Sequence, residues 1–313
     1  MKKLFSTIIC CLICSTAFMQ VKPEWQDETI PFVGKEYPRT AFMTYSDVNK
    51  ARSNDFNTST DYKSLNGKWK FNWVSSYKKR PVNFYKTNFD DSTWEEIDVP
   101  ANWEVNGYGN ALYTNHPYEF CPRNPQPPLL PEENPVGSYR KYIEIPEQWN
   151  GKEIFLHIGA VKSGCYLYVN GTKVGYSEDS KDAVEYNITR YLKPGRNLIA
   201  LEVYRWSTGS YLECQDFWRI SGIERDVYLF AQLPLHLRDF SIRQDLDSTY
   251  KNGLFGLDLF MENTNPRQPG QVTVFYQLEN TSGTRVAEGT QTIKIDSATT
   301  VHFEAKIPQV APW

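Results

Sequence analysis

At 313 residues the chain has room for two domains of ordinary size. A formal net charge of -3, with "YKKRP" the only basic cluster and read as a solvated turn, speaks against a nucleic-acid partner. Aromatic residues make up 15% of the chain, including 9 Trp and 20 Tyr, enough for a well-buried core and for flat faces on which a ligand can stack.

Lys2 and Lys3 precede the apolar stretch "LFSTIICCLICSTAFM", which is too short to span a bilayer at about 20 residues. Ser15 and Ala17 are spaced like a cleavage site, so residues 1–20 predict a signal peptide and export to a periplasm, with lipid anchoring as the second choice. Cys10, Cys11 and Cys14 would leave with it. Cys121, Cys165 and Cys214 remain, an odd and widely spaced set that predicts free thiols rather than a disulfide framework. No later run resembles a membrane span.

Residues 21–60 are polar and irregular and predict an extended lead-in anchored by Trp25 and "YPRTAFMTY". In "GKWKFNWV", Trp69, Phe71 and Trp73 face one way and Lys68, Lys70 and Asn72 the other, the alternation of a half-buried antiparallel strand. "TWEEIDVP" closes a second strand at Pro100. Residues 100–138 are crowded with Pro, Asn and Gly and show no sustained period, yet they hold Trp103, Tyr108, Tyr113, Tyr118 and Phe120. Disordered segments carry few aromatics, so an ordered, pinned loop is predicted.

Strands resume in "SYRKYIEIP", "KEIFLHIGAV" and "GCYLYVNGTKVGYS". In the last, Asn170-Gly171 between alternating runs predicts a hairpin with a type I′ turn. "KPGRN" supplies another turn, and "NLIALEVYRW" and "RDVYLFAQ" read as strong strands. Many short strands without a helical period predict an all-β chain whose residues 61–232 form a jelly-roll, galactose-binding-like β-sandwich.

Near Leu233-Pro234 the pattern restarts. "LRDFSIRQDL", "LFGLDLFMEN", "QVTVFYQLEN" and "VHFEAKIP" alternate and predict an immunoglobulin-like β-sandwich over residues 233–313. Such a domain takes about 100 residues, more than remain, and it would end on an exposed edge strand. The expectation is a truncated second domain and a chain that is a fragment.

The stretch "RWSTGSYLECQDFWRISGIERDV", residues 205–227, joins two strands and carries an unusual load of charge and aromatics. Loops at one end of a sandwich hold binding residues on a rigid scaffold. Trp206, Tyr211, Phe217 and Trp218 offer faces for the apolar side of a sugar, and Asp216 can accept two hydroxyl protons. Carboxylate and carbonyl oxygens also suit a hard cation. From composition alone, packing against a neighbouring domain fits better than ligand contact, with Arg219, Arg225, Glu213 and Glu224 simply paired. Asn102-Trp103 stands under the same two readings, because Asn both donates to and accepts from hydroxyls and is also ordinary turn chemistry.

Other chemistries find little support. His116, His157, His236 and His302 are far apart and show no zinc spacing. There is no G-x-S-x-G elbow and no phosphate-cradling loop. "DLDSTYKNG" lacks the closing Glu of a calcium loop and predicts a polar turn. No carboxylate pair for glycoside hydrolysis is nominated.

From Trp25 onward the chain resembles the N-terminal part of glycoside hydrolase family 2 β-galactosidases. The motifs are "PANWEVNGYGNALYTN", "PPLLPEENPVGSYRK", "VNGTKVGYSEDSKDAVEYNIT", "LKPGRNLIALEVYRWSTGSYLECQDFWRISGIERDV" and "VAPW". The resemblance implies a jelly-roll sugar-binding domain and an immunoglobulin-like domain, with a catalytic TIM barrel beyond this chain. It places galactosyl hydrogen bonding on Asn102, and both galactose hydroxyls and a sodium ion on Asp216. Cys214 stands where some relatives have an acidic residue. The catalytic glutamates and the magnesium ligands belong to the barrel, so no catalytic residue is expected here and the chain alone is expected to be inactive. β-Galactoside glycans are the implied partners, and the complete enzyme is expected to be a retaining hydrolase and a homo-oligomer, free of the membrane after signal cleavage. Two alternatives stand beside this reading: a stand-alone carbohydrate-binding module, and a β-glucuronidase or β-mannosidase relative.

Overall fold

Asn170 and Gly171 both adopt positive φ, 50° and 90°, so the strands Gly164–Val169 and Thr172–Ser177 fold back on each other as the type I′ turn requires. A computed structural model describes residues 22–213, 215–265, 267 and 270–310. The predicted signal peptide, Cys214 and most of the closing "VAPW" lie outside the described residues. Among the described residues no helix is long and apolar enough to cross a membrane.

The hairpin belongs to a seven-stranded sheet. Its order is Phe32–Val33, Thr172–Ser177, Gly164–Val169, Arg196–Tyr204, Val136–Glu144, Gly67–Val74 and Glu95–Val99. A four-stranded sheet is ordered Val184–Asn187, Glu153–Ile158, Val227–Gln232 and Tyr62–Ser64. Trp69, Phe71, Leu167 and Leu201 from the first sheet share one buried core with Leu156, Ile158, Tyr186 and Leu229 from the second. Large apolar side chains on alternate positions thus meet face to face, the packing of a jelly-roll sandwich.

The lead-in is anchored as expected by Trp25, which is 2% exposed and stacks on Tyr204 with ring centroids 4.8 Å apart. Its Phe32–Val33 segment adds an edge strand to the large sheet. It is not wholly extended, however: Val48–Ser53 is an α-helix. Asp47 caps it by accepting from the backbone N–H groups of Asn49 and Lys50, and Asn54 ends it in the left-handed region.

A second sandwich follows, with Leu235–Leu246, Gly253–Asn263 and Ala298–Ile307 in one sheet and Gly270–Glu279 and Arg285–Ile295 in the other. Leu257, Leu259, Met261, Tyr276, Ile295, Val301 and Phe303 form its core. The strand Arg285–Ile295 is not evident in the sequence. Its inward positions include Ala287, Gly289 and Gln291, too small or polar to signal alternation. Gly289 is small for a reason: a Cβ there would lie 2.6 Å from Tyr276 and 2.9 Å from Phe303.

Candidate functional site

The segment 100–138 is pinned, as its aromatics suggest, but by regular structure that its composition conceals. Ala101–Asn102 pairs with Gly222–Ile223, which pairs in turn with Val161–Lys162. Leu112–Thr114 pairs with Phe217–Arg219. These small sheets join the pinned segment to the charge-rich stretch at one end of the sandwich. Trp103 is fully buried between them, donates its indole N–H to the Tyr139 hydroxyl and packs against Phe71. Gly137 makes room for it, since a Cβ there would sit 2.7 Å from the indole.

Much of the charge at this end turns inward. Arg205 donates to Glu104 Oε1 at 2.9 Å and to the Arg219 carbonyl at 3.1 Å, while Glu104 Oε2 accepts from the Ser221 N–H at 2.8 Å. Arg219, 2% exposed, faces Glu119 at 3.5 Å, and Glu119 also accepts from the Trp206 indole at 2.9 Å. The charged residues of 205–227 are paired, but with partners outside that stretch. Arg205 and Arg219 take acidic partners from the 100–138 segment, Glu213 accepts from Ser180, and Glu224 pairs with Lys181. Arg225 donates to the Lys181 carbonyl. Of the four aromatic faces expected for stacking, Tyr211 is buried with its hydroxyl on the Leu129 carbonyl, and Trp206 is packed against Phe120. Phe217 and Trp218 remain half exposed, each at 51%.

Asp216 is exposed beside them. Its Oδ1 accepts from the Tyr113 hydroxyl at 2.7 Å, and the Tyr113 ring meets Trp218 edge-on with centroids 5.7 Å apart. Hydrogen bonding to the Asp216 carboxylate, reinforced by its charge, pushes the Tyr113 hydroxyl above the usual tyrosine range. Asn102 is half-buried, and its amide donates to the Ser221 carbonyl and to Glu224 Oε1, both at 3.3 Å. Lys181 closes the link between the two predicted residues: it pairs with the other oxygen of Glu224 and lies 5.4 Å from the centroid of Phe217, the neighbour of Asp216. The sequence marks Tyr113 only as one of the aromatics that pin residues 100–138, not as a partner of Asp216. Glu104 and Lys181 carried no local signal.

A hard cation gathers several oxygen ligands. At Asp216 the structure brings together one carboxylate and one phenol. No group of three or more His, Cys, Asp or Glu that could hold a metal ion occurs among the described residues. Asp247 in "DLDSTYKNG" takes the side chains of Asn252 and Thr249, as a polar turn does.

Residues 62–234 match the glycosyl hydrolases family 2, sugar binding domain. A β-galactosidase of Priestia megaterium is 36% identical over 296 residues, covering 93% of this chain and 29% of that protein. One from Halalkalibacterium halodurans is 39% identical over 238 residues, covering 75% of this chain and 23% of that protein. The chain thus spans under a third of the length of these relatives. Among solved structures, a Bacteroides uniformis β-glucuronidase aligns with a TM-score of 0.62 at 22% identity, covering 80% of this chain and 28% of that one. A family 2 glycosyl hydrolase from Bacteroides cellulosilyticus aligns with a TM-score of 0.63 at 21% identity, covering 81% of this chain and 31% of that one. At such identities the structural likeness is one of fold. The domain match itself runs from the Tyr62 strand through the Asn102 and Asp216 loops to the end of the first sandwich, and on that ground the chain belongs to glycosyl hydrolase family 2.

Proposed function

We propose that this chain is the N-terminal portion of a β-galactosidase that hydrolyses terminal non-reducing β-D-galactose residues with retention. In this reading Asn102 and Asp216 hold galactosyl hydroxyls at the rim of an active centre, and the acid/base and nucleophile glutamates come from outside this chain. The observation that carries it is the exposed Asp216 carboxylate, hydrogen-bonded by Tyr113 and followed in the chain by two half-exposed aromatic residues, Phe217 and Trp218. Hydrogen bonds to a charged group contribute about 1.5–3 kcal/mol each, and the neighbouring rings suit the apolar face of a sugar. The names of the relatives at 36% and 39% identity support galactose over glucuronic acid. The reading also includes export to a periplasm, a sodium contact at Asp216 completed by ligands from elsewhere, and a homo-oligomeric complete enzyme.

The test is to express the complete reading frame that carries this chain and assay nitrophenyl β-galactoside, β-glucuronide and β-mannoside. The galactoside is expected to be cleaved fastest, and Asp216→Asn to lower kcat/KM by about 100-fold, the scale of one strong charge-assisted hydrogen bond. A preference for the glucuronide, or an Asp216→Asn enzyme as active as wild type, overturns the proposal. The 313-residue chain alone is expected to be silent in hydrolysis, because binding groups without the carboxylate pair open no route to the transition state, and silent in calorimetry with galactose or lactose, because one Asp and one Asn at a rim do not enclose a sugar. Tight binding by the isolated chain would instead support a stand-alone carbohydrate-binding module.

A further inference from the structure

In the small sheet at the rim, Gly222 pairs with Asn102 on one side and with Lys162 on the other. Residues directly opposite one another in a ladder project to the same face. Asn102 and Lys162 therefore share a face, with a residue that has no side chain between them. Strand spacing puts their backbones about 10 Å apart, on the scale of one sugar ring with its substituents. Gly222 cannot readily be anything larger: its φ is +121°, and a Cβ would lie 2.6 Å from the Ala101 carbonyl oxygen.

Beside this row lies a cavity of about 250 Å³, lined by Lys162, Lys181, Gln215, Phe217 and Arg219 among others. Gln215 and Phe217 are the two neighbours of Asp216 in the chain, so the cavity adjoins the proposed galactosyl contact. The acidic groups around Lys162 are already engaged. Glu213 accepts from the Ser180 N–H at 2.7 Å and from its hydroxyl. Glu224 serves Lys181 and Asn102, and Glu119 serves Trp206 and Arg219. Asp179, also on the lining, interacts with Asp182 and Lys35. Lys162 makes no side-chain hydrogen bond and no ion pair among the described residues. Burial, and then the charge of Lys181, push its ammonium below the usual lysine range, against the opposing pull of the Glu213, Glu119 and Glu224 carboxylates. A cation partly removed from water without an acceptor is costly, and an incoming anion relieves that cost.

We infer that Lys162 anchors an anion-accepting subsite beside Asp216, which takes a sulfate ester or a carboxylate carried by the glycan next to its galactosyl residue. The inference rests on the proposed galactosyl role of Asp216 for its substrate class, but not for the existence of the anion site.

The complete enzyme is assayed on three β-galactosides of matched length: neutral, sulfated and uronate-linked. Wild type is compared with Lys162→Met, which keeps the apolar stem, and with Lys162→Arg, which keeps the charge. The ratio of charged to neutral kcat/KM is expected to fall about 10-fold in Lys162→Met and to survive in Lys162→Arg, and the wild-type preference should weaken as salt screens it. Whichever charged substrate shows the larger fall identifies the anion. An unchanged ratio, or a parallel loss on neutral and charged substrates, overturns the subsite. A second readout is independent of hydrolysis. At matched ionic strength, sodium sulfate relative to sodium chloride should raise the melting temperature of wild type more than that of Lys162→Met. Equal shifts in the two proteins overturn the anion site. A sulfate-specific shift in an enzyme that cleaves no galactoside would sustain the site and overturn the proposed function.

Discussion

Glu104 and Arg205 form an ion pair at 2.9 Å in which the Glu104 side chain is wholly shut off from water and that of Arg205 is 10% exposed. One residue belongs to the segment that carries Asn102, the other opens the stretch that carries Asp216. Glu104 also accepts from the Ser221 N–H, next to the Gly222–Ile223 strand. This pair ties the two halves of the candidate site together. Replacing Glu104 with Ala strands a buried guanidinium and is expected to destabilise the fold by about 3–5 kcal/mol in urea denaturation. Glu104→Gln retains an acceptor for Ser221 and should cost less. A loss below about 1 kcal/mol for Glu104→Ala, the level of a surface pair, would show that the link is unimportant.

Gly222 offers a second test of the rim. Gly222→Ala places a Cβ 2.6 Å from the Ala101 carbonyl oxygen at a φ of +121°. Strain of this kind costs about 1–3 kcal/mol, and relieving it must displace the strand bearing Asn102. Gly67→Ala is the control, because φ there is +93° yet nothing lies within 4 Å. Thermal denaturation should show the larger loss for Gly222→Ala. Equal losses would mean that conformation alone, not the close approach, matters.

Acid should loosen the junction between the lead-in and the two sandwiches. Glu185 accepts from Arg39 at 2.8 and 2.9 Å and contacts His157 at 3.0 Å and Arg238 at 3.6 Å. Burial pushes its carboxyl up, but the His157 hydrogen bond and the Arg39 guanidinium outweigh burial and hold it below the ordinary glutamate value of 4.5. A depressed folded-state value means that stability is present above pH 4.5 and is lost as the pH falls through the folded-state value. Melting temperatures taken from pH 6 downward should therefore fall more steeply for wild type than for Glu185→Gln. Parallel curves would remove Glu185 from the acid response.

Tyr113 orients Asp216 through one hydrogen bond at 2.7 Å. Tyr113→Phe keeps the half-exposed ring beside Trp218 and deletes only the donor. In the complete enzyme KM for a galactoside is expected to rise about 3- to 10-fold, with a smaller change in kcat and little change in melting temperature. An unaltered KM would show that Asp216 holds its position without the phenol.

The strands around Asn170-Gly171 were legible because a turn needing positive φ twice leaves few residue choices, and because large side chains alternate on either side. Arg285–Ile295 was not legible, because its inward face is built of what two aromatic rings on other strands leave room for. Asn102 and Asp216 could be named from the motifs that contain them. Lys162 could not, since "AVKSG" holds nothing to mark it and only its pairing with Gly222 brings it to the rim.

What the sequence alone determined is the all-β class, the hairpin and the resemblance to family 2, because turns and alternation follow from short-range sterics that a local window contains. Only the tertiary structure decided which side chains of residues 205–227 face the solvent. Arg205 meets Glu104 across 101 positions of chain, and Asp216 meets Tyr113 across 103. A charged side chain turns inward where a distant partner repays its lost hydration, and that partner is nowhere near it in the sequence.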